Sequence, residues 1–297
     1  MKTISIALFL CFLTFELAYS TSPNFLPDSS AYEQSLNNGI QAFYKTNWRE
    51  AEAIFDDLQE KYPKDSRAYF FSSMIPFWEY YFGENTKQAA HLFLSRSQKA
   101  ISVSLDELKE NPHDTTMVLL LSGLYGYRSL IAASEKQYRT AIQSGMTGFK
   151  YTRQLLALHV ADSRALIGKG IFFYMMGSIP RELKWMTNMA GLSANKQEGL
   201  NLLILAAESR SYVSNDAKMI LAYLYEKENR NEKALHQLQK LSKSYPQNII
   251  FQYNLARLLE KCNQLTEAKA KYKEVASLKG DELQILKEKS RKRIRNL

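Results

Sequence analysis

The chain has 297 residues, 45% hydrophobic and 23% charged, with a formal net charge of +9 and a mean hydropathy of −0.34. Its 12 Gly and 7 Pro are about half the usual combined share of roughly 12%. That scarcity excludes collagen-like, low-complexity and linker-dominated chains and argues against a loop-rich all-β protein, the hydropathy excludes a polytopic membrane protein, and the length suffices to bury a core without disulfides or metals.

Residues 1–20 read as a secretory signal peptide. Lys2 supplies a basic start, residues 4–13 an apolar run, and Ala18-Tyr19-Ser20 small residues at the cleavage positions, with the cut expected after Ser20. The apolar run is shorter than the roughly 20 residues that span a bilayer, and Phe9-Leu10 before Cys11 are too bulky for a lipobox. Cleavage removes Lys2 and Glu16 together, so the charge stays at +9, and it leaves Cys262 alone, with no internal disulfide expected. Cys262 lies in an apolar helical pattern and reads as a small buried hydrophobe. The absence of any Asn-x-Ser/Thr sequon fits a bacterial periplasmic or cell-envelope protein.

After a lead segment at 21–31, punctuation marks recur. Tyr62-Pro63-Lys64-Asp65-Ser66, Asn111-Pro112-His113-Asp114-Thr115, His159-Val160-Ala161-Asp162-Ser163 and Tyr245-Pro246-Gln247-Asn248-Ile249 follow one logic. Proline stops one helix, and Asp or Asn caps the next by accepting from its orphan N–H groups. Ser214-Asn215-Asp216 offers a further cap without proline. Asp65, Asp114, Asp162, Asn215 and Asn248 stand 49, 48, 53 and 33 residues apart, each interval holding two antiparallel helices. The spacing predicts helices over 66–82, ended at Gly83 and kinked by Pro76, then over 86–110, 115–134, 137–159 and 165–177. Gly177-Ser178-Ile179-Pro180 breaks the pattern, and Gly191-Leu192-Ser193 turns the chain into a helix over 195–212. The expected hairpins are about 32–65, 66–112, 115–160, 163–213, 215–248 and 249–280, the first acting as a cap, with a basic capping helix at 281–297.

Residues 215–248 resemble a tetratricopeptide repeat, a 34-residue helix hairpin, through Ala222, Tyr225, Ala234, Leu238 and Pro246. The next unit repeats the pattern with Ala256, Leu259, Ala268 and Tyr272 but has Gly280 in place of the proline, and residues 32–65 repeat it with Gly39, Ala51, Phe55 and Pro63. The resemblance implies an all-α, right-handed α-α superhelix of about five hairpins in one continuous array over 32–280, the middle ones with extended helices. The stretch from Gly170-Ile171-Phe172-Phe173 through Ser178 and Pro180, Leu183, Gly191-Leu192-Ser193 and Gly199-Leu200 resembles the tetratricopeptide repeat protein 39 family, which includes the fungal inclusion-body clearance protein. Here Ala194 stands where that family has Gly, and its Pro-Pro pair is missing. The resemblance implies fold and repeat geometry; the export signal separates this chain from the family's intracellular roles.

Chemical motifs are scarce. His91, His113, His159 and His236 pair with no His or Cys at ligand spacing, and no nucleophile elbow, P-loop or dinucleotide fingerprint occurs. Gly168-Lys169-Gly170 lies within a helical run, and Ser193-Ala194-Asn195-Lys196 reads as a helix start. The expectation is a non-enzymatic protein with no cofactor and no metal, a helical-solenoid hydrolase or lyase being the alternative from another class.

The tetratricopeptide resemblance implies a concave groove lined by the first helix of each hairpin. Counting its positions selects Arg67, Phe70, Met74, Phe77 and Trp78, then Tyr127, Ile171, Tyr174, Met219, Tyr223, Tyr253 and Arg257. Such residues suit recognition of a peptide or protein; the other reading of them is interhelical core. An aromatic-lined tunnel carrying a lipid or other apolar ligand is the alternative function. Lys287, Lys289, Arg291, Lys292, Arg293 and Arg295 at the C-terminus read either as a solvated cap or as a contact for anionic membrane or an acidic partner. Nucleic acid is not expected as a partner, because the remaining positive charge is interspersed with Glu and Asp.

Overall fold

The computed structural model describes residues 29–83, 86–157, 163–178, 195–209, 213–280 and 282–297. The signal peptide and its cleavage site, the cap at Asp162 and the Ile179–Pro180 and Gly191–Ser193 breaks lie outside the described residues. Among the described residues the protein is all-α, with thirteen helices. They are α1 (Ser29–Tyr44), α2 (Trp48–Lys61), α3 (Ser66–Phe82), α4 (Lys87–Glu110), α5 (Thr115–Ser134), α6 (Tyr138–Ala157), α7 (Ser163–Gly177), α8 (Lys196–Glu208), α9 (Val213–Lys227), α10 (Asn231–Ser244), α11 (Ile249–Lys261), α12 (Leu265–Ser277) and α13 (Gln284–Asn296).

The caps act as their residue types require. Asp65 accepts from the Arg67 N–H at 3.0 Å, Asp114 from those of Thr116 and Met117 at 2.8 and 3.1 Å, Asn195 from Gln197 at 2.8 Å and Asn248 from Phe251 at 2.9 Å. Asn215 is not a cap: α9 starts at Val213, which places Asn215 in its first turn, buried.

Four hairpin turns share one backbone device that no glycine announces. Thr46, Lys136, Asn229 and Asn263 adopt left-handed φ values of 57° to 62°. The N–H of the following residue then reaches back five positions, Asn47 to Ala42, Gln137 to Ala132, Arg230 to Tyr225 and Gln264 to Leu259, at 2.7–2.9 Å. This closes the last turn of the first helix. Five residues beyond each left-handed residue stands a buried alanine, Ala51, Ala141, Ala234 or Ala268, which lets the second helix approach the first.

The chain forms two compact units. One is Glu110–Leu221. The other joins residues 29–109 to Ala222–Leu297, and the division falls inside α9.

In the unit 110–221, α5 and α6 meet over small residues. Ser122 and Thr152 hydroxyls lie 2.7 Å apart, and the Ser129 hydroxyl donates to the Ala141 carbonyl at 2.8 Å. α5 is long and apolar enough to cross a membrane, but most of it is buried within the protein. α7 and α8 approach backbone to backbone: a Cβ on Gly199 would lie 2.6 Å from the Gly170 carbonyl oxygen, and one on Gly170 would lie 2.8 Å from Leu203. Both glycines belong to the family-like stretch.

In the other unit, Gly39 of α1 sits against the Phe55 ring of α2, where a Cβ would be 2.5 Å from the ring edge. α3 is covered almost all round, with Glu79 its one exposed residue. The helix runs unbroken through Pro76. The N-terminal hairpins pack directly on the C-terminal repeats: Asn248 donates from Nδ2 to the Tyr44 carbonyl at 2.6 Å, Tyr44 meets Tyr245 at 5.5 Å between ring centres, and Trp78 meets Phe251 at 6.3 Å. Ala222, Tyr225, Ala234, Leu238, Ala256, Leu259, Ala268 and Tyr272 are all buried.

Candidate partner-binding surface

Most residues selected for a groove are interior. Phe70, Met74, Phe77, Trp78, Tyr127, Ile171, Tyr174 and Met219 are all buried. The reason is visible around Trp78, whose ring is edged by Phe43 at 4.9 Å, Phe82 at 5.5 Å, Tyr44 at 6.2 Å and Phe251 at 6.3 Å. Phe77 meets Tyr81 and Phe93, and Phe70 meets Phe71. A helix apolar on every face is surrounded on every face, so repeat position does not separate groove from core on α3. The groove assignment of these residues is therefore corrected to core.

Arg67 is also engaged internally. Its guanidinium bonds Asp65 at 2.5–3.0 Å and Glu33 at 3.0 Å and lies 4.7 Å from the Tyr32 ring centre. Nearby, the Ser66 N–H donates to Glu107 Oε2 at 3.3 Å. Burial, reinforced by Asp65, pushes the Glu107 carboxyl up to about 7, against the opposing pull of the Ser66 bonds and Arg67. Burial also raises the Tyr32 hydroxyl far above its ordinary range.

Three selected residues remain accessible, and they sit on α9 and α11. Tyr223 is 39% exposed, and Tyr253 and Arg257 are half-buried. Arg257 grips Glu226 through two parallel bonds at 2.7 and 2.6 Å, and Lys261 adds a third at 3.1 Å. These bonds, above all those from Arg257, hold the Glu226 carboxyl below its ordinary value although burial opposes them. One repeat further on, Glu260 accepts from Arg293 Nε at 3.1 Å and from the Tyr272 hydroxyl at 2.8 Å. Glu226 and Glu260 are 34 residues apart, so one bridge recurs between successive repeats, and α13 takes the place of a further first helix. Tyr223 lies a turn before Glu226 and Tyr253 a turn before Arg257. The Glu226–Arg257 bonds therefore join the turns of α9 and α11 that carry the two tyrosines, and this stretch is termed the ledge. Sequence reasoning found the tyrosines and Arg257 but missed Glu226, Glu260 and Lys261; the 34-residue register shared by the two glutamates was the available signal.

The C-terminal helix divides its basic residues. Lys289, Arg291, Lys292 and Arg295 are exposed, and Arg293 is exposed but tied to Glu260. Lys287 departs from the anionic-surface expectation: it is 4% exposed, and its ammonium donates to the Gly280 carbonyl at 2.5 Å. Leu283 and Leu286 are buried too, so the apolar side of α13 is committed to packing. A cleft of about 420 Å³ opens beside Lys287, with Lys45, Asn47, Gln247, Lys279 and Glu282 on its walls. Cys262 forms the C-cap of α11, half-buried, its thiol raised chiefly by burial. Among the described residues no group of three or more His, Cys, Asp or Glu is placed to hold a metal ion.

The helix hairpins, the small residues at their seams and the 34-residue bridges define a tetratricopeptide-type helical-repeat protein. A tetratricopeptide repeat model matches residues 40–65, the stretch with Ala51 and Phe55. The model of the Iml2/Tetratricopeptide repeat protein 39 family matches residues 129–288, more than half of the chain. The chain belongs to the Iml2/Tetratricopeptide repeat protein 39 family. No curated protein matches it. Repeats of this type generally mediate protein–protein interaction and are generally non-catalytic, which suggests a protein–protein interaction scaffold.

Proposed function

We propose that the protein is an exported, non-enzymatic scaffold of the bacterial periplasm or cell envelope that binds an extended segment of another protein on the ledge built by α9, α11 and α13. The observation that carries this reading is the pairing of accessible Tyr223 and Tyr253 with an Arg257 already fixed by Glu226. Aromatic faces and pre-oriented guanidinium groups give large contact area at little entropic cost. The fixed cations Arg257, Lys261 and Arg293 favour a partner segment carrying carboxylates. Export is supported by the sequence of residues 1–20. The aromatic tunnel is the weaker alternative, because the α3 rings contact one another and fill the space that an apolar ligand would take.

The test is crosslinked capture from the native envelope with the mature chain and with Tyr223→Glu. A partner captured by the first and lost with the second, at unchanged helicity, supports the ledge. Equal capture by both refutes it. Mass measurement of the secreted chain checks cleavage after Ser20.

A further inference from the structure

α6 carries a second exposed surface. One side of the helix is buried through Ala141, Ser144, Gly148, Tyr151 and Leu155. Away from that side, Tyr138, Ile142, Met146 and Phe149 are 65%, 64%, 70% and 36% exposed. At about 100° per residue these four fall within a stripe about 80° wide and roughly 16 Å long. A solvent-facing helical strip is ordinarily polar. Among the described residues, the remaining large apolar side chains that are exposed, Leu92, Leu205, Tyr223 and Leu265, are spread over four other helices. The concentration on α6 is therefore not the ordinary scatter of surface hydrophobes.

Charge identifies the occupant. α6 contains no Asp or Glu. Arg139 and Lys150, both exposed, lie along one flank of the stripe, and exposed Arg153 continues it one turn beyond Phe149. An apolar ridge with cations along one flank, on a helix that carries no carboxylate, is the pattern of a helix that lies in a membrane interface, its apolar side chains at the acyl boundary and its basic ones on lipid phosphates. A convex ridge needs no matching slot in a fluid headgroup layer. α13 offers the contrast: it is more basic, but Leu283 and Leu286 are buried, so it keeps no comparable exposed apolar stripe.

We propose that the α6 face docks the protein peripherally on an anionic lipid bilayer. Tyr138, Ile142, Met146 and Phe149 enter the headgroup–acyl boundary, and Arg139, Lys150 and Arg153 contact lipid phosphates.

The test is vesicle flotation of the full mature chain, using phosphatidylcholine vesicles with and without phosphatidylglycerol. The chain is expected to float with the anionic vesicles only, less so at high salt. Ile142→Glu/Met146→Glu should lower the bound fraction on the order of tenfold, with an unchanged circular-dichroism spectrum because both side chains are exposed. A variant with Lys289, Arg291, Lys292 and Arg295 changed to Ala should still float. The proposal is overturned if the mature chain does not float, if the double glutamate variant floats equally well, or if the tail variant alone abolishes flotation. It is also overturned if light scattering shows a dimer that the glutamates split without any vesicle binding, which would make the stripe a contact between copies. These outcomes are independent of crosslinking at Tyr223.

Discussion

Arg96 donates from Nη1 to the carbonyl of Ser72 at 3.1 Å, and that carbonyl is the one Pro76 leaves without its helical donor. In an α-helix the N–H of residue 76 would serve the oxygen of residue 72, and proline has none. An arginine from α4 takes its place and at the same time bonds Glu52 of α2 at 2.6 Å. One guanidinium thus repairs α3 and ties three helices, which explains how the helix continues through Pro76.

Arg96→Ala should destabilise the protein by about 1–3 kcal/mol, since it strands a carbonyl in a covered helix. In Pro76→Ala, where the backbone N–H is restored, the same Arg96→Ala change should cost measurably less. Urea unfolding of the two single variants and the double variant gives the coupling. Simple additivity would show that the Ser72 bond contributes nothing.

Asn248 has two tasks on one amide. Its oxygen caps α11, and its nitrogen holds the Tyr44 carbonyl at the end of α1, 204 residues away. Asn248→Ala should therefore cost more than the roughly 1 kcal/mol of an ordinary cap, about 2–4 kcal/mol in total. Asn248→Asp keeps the cap acceptor but loses the donor and turns a carboxylate toward a carbonyl, so it should not rescue. Thermal unfolding of both variants decides, and full rescue by Asp would show that the tie to Tyr44 is dispensable.

That tie also marks a limit of the sequence. Helix starts at Asp65, Asp114, Asn195 and Asn248 were legible because capping is local chemistry, as was the end of α3 at Gly83. The interhelical small residues Gly39, Ala234 and Ala268 were legible because they recur at fixed spacing. Packing of α1 on residues 245–251 has no periodic signature, since nothing near Tyr44 announces a partner two hundred residues on. The groove failed for a different reason. α3 and α5 are apolar on all sides, so Phe70, Trp78 and Tyr127 could not be oriented by period. On α9 and α11, where polar and apolar faces alternate, the same counting reached Tyr223, Tyr253 and Arg257. Ala141 escaped notice because its hairpin is longer than the 34-residue unit whose register picked out Ala51, Ala234 and Ala268.

Glu107 makes stability depend on pH near neutrality. Its carboxyl is raised to about 7, chiefly by burial, so between the ordinary carboxylate value and about 7 the folded state holds a proton that the unfolded chain has released. Stability must then fall as pH rises through this window and level off above it. Glu107→Gln removes the ionisable group but keeps an acceptor for the Ser66 N–H. It should flatten the profile and raise stability at pH 8 by about 1 kcal/mol after allowance for partial solvent screening. Urea midpoints from pH 5 to 8 test this (buffer values chosen from about the reference carboxylate range upward), and an unchanged slope in the variant would assign the dependence to other groups.

Gly199 and Gly39 separate two kinds of close approach. A Cβ on Gly199 would meet the Tyr174 backbone N and the Gly170 carbonyl, atoms fixed in α7. On Gly39 it would meet the edge of the Phe55 ring, a side chain. Both changes to Ala overpack a seam, at about 1–3 kcal/mol. Gly199→Ala should be the costlier, because two helix backbones must move apart. Equal losses in thermal stability would mean that the α7–α8 contact yields as easily as a side chain.

Trp78 and Tyr223 test the division between core and surface. Both occupy first-helix positions that the repeat pattern aims at a groove, yet Trp78 is fully covered and Tyr223 is 39% exposed. Trp78→Ala removes a ring that meets Phe43, Tyr44, Phe82 and Phe251, and the cavity should cost about 3–5 kcal/mol. Tyr223→Ala should change stability by no more than about 0.5 kcal/mol, as for other surface substitutions, while weakening capture of the partner. Because Trp78 joins α1, α3 and α11, its loss should also release the N-terminal hairpins from the C-terminal repeats, seen as faster amide exchange in both α1 and α11. A Trp78→Ala protein of full stability and unchanged exchange would return that residue to the groove.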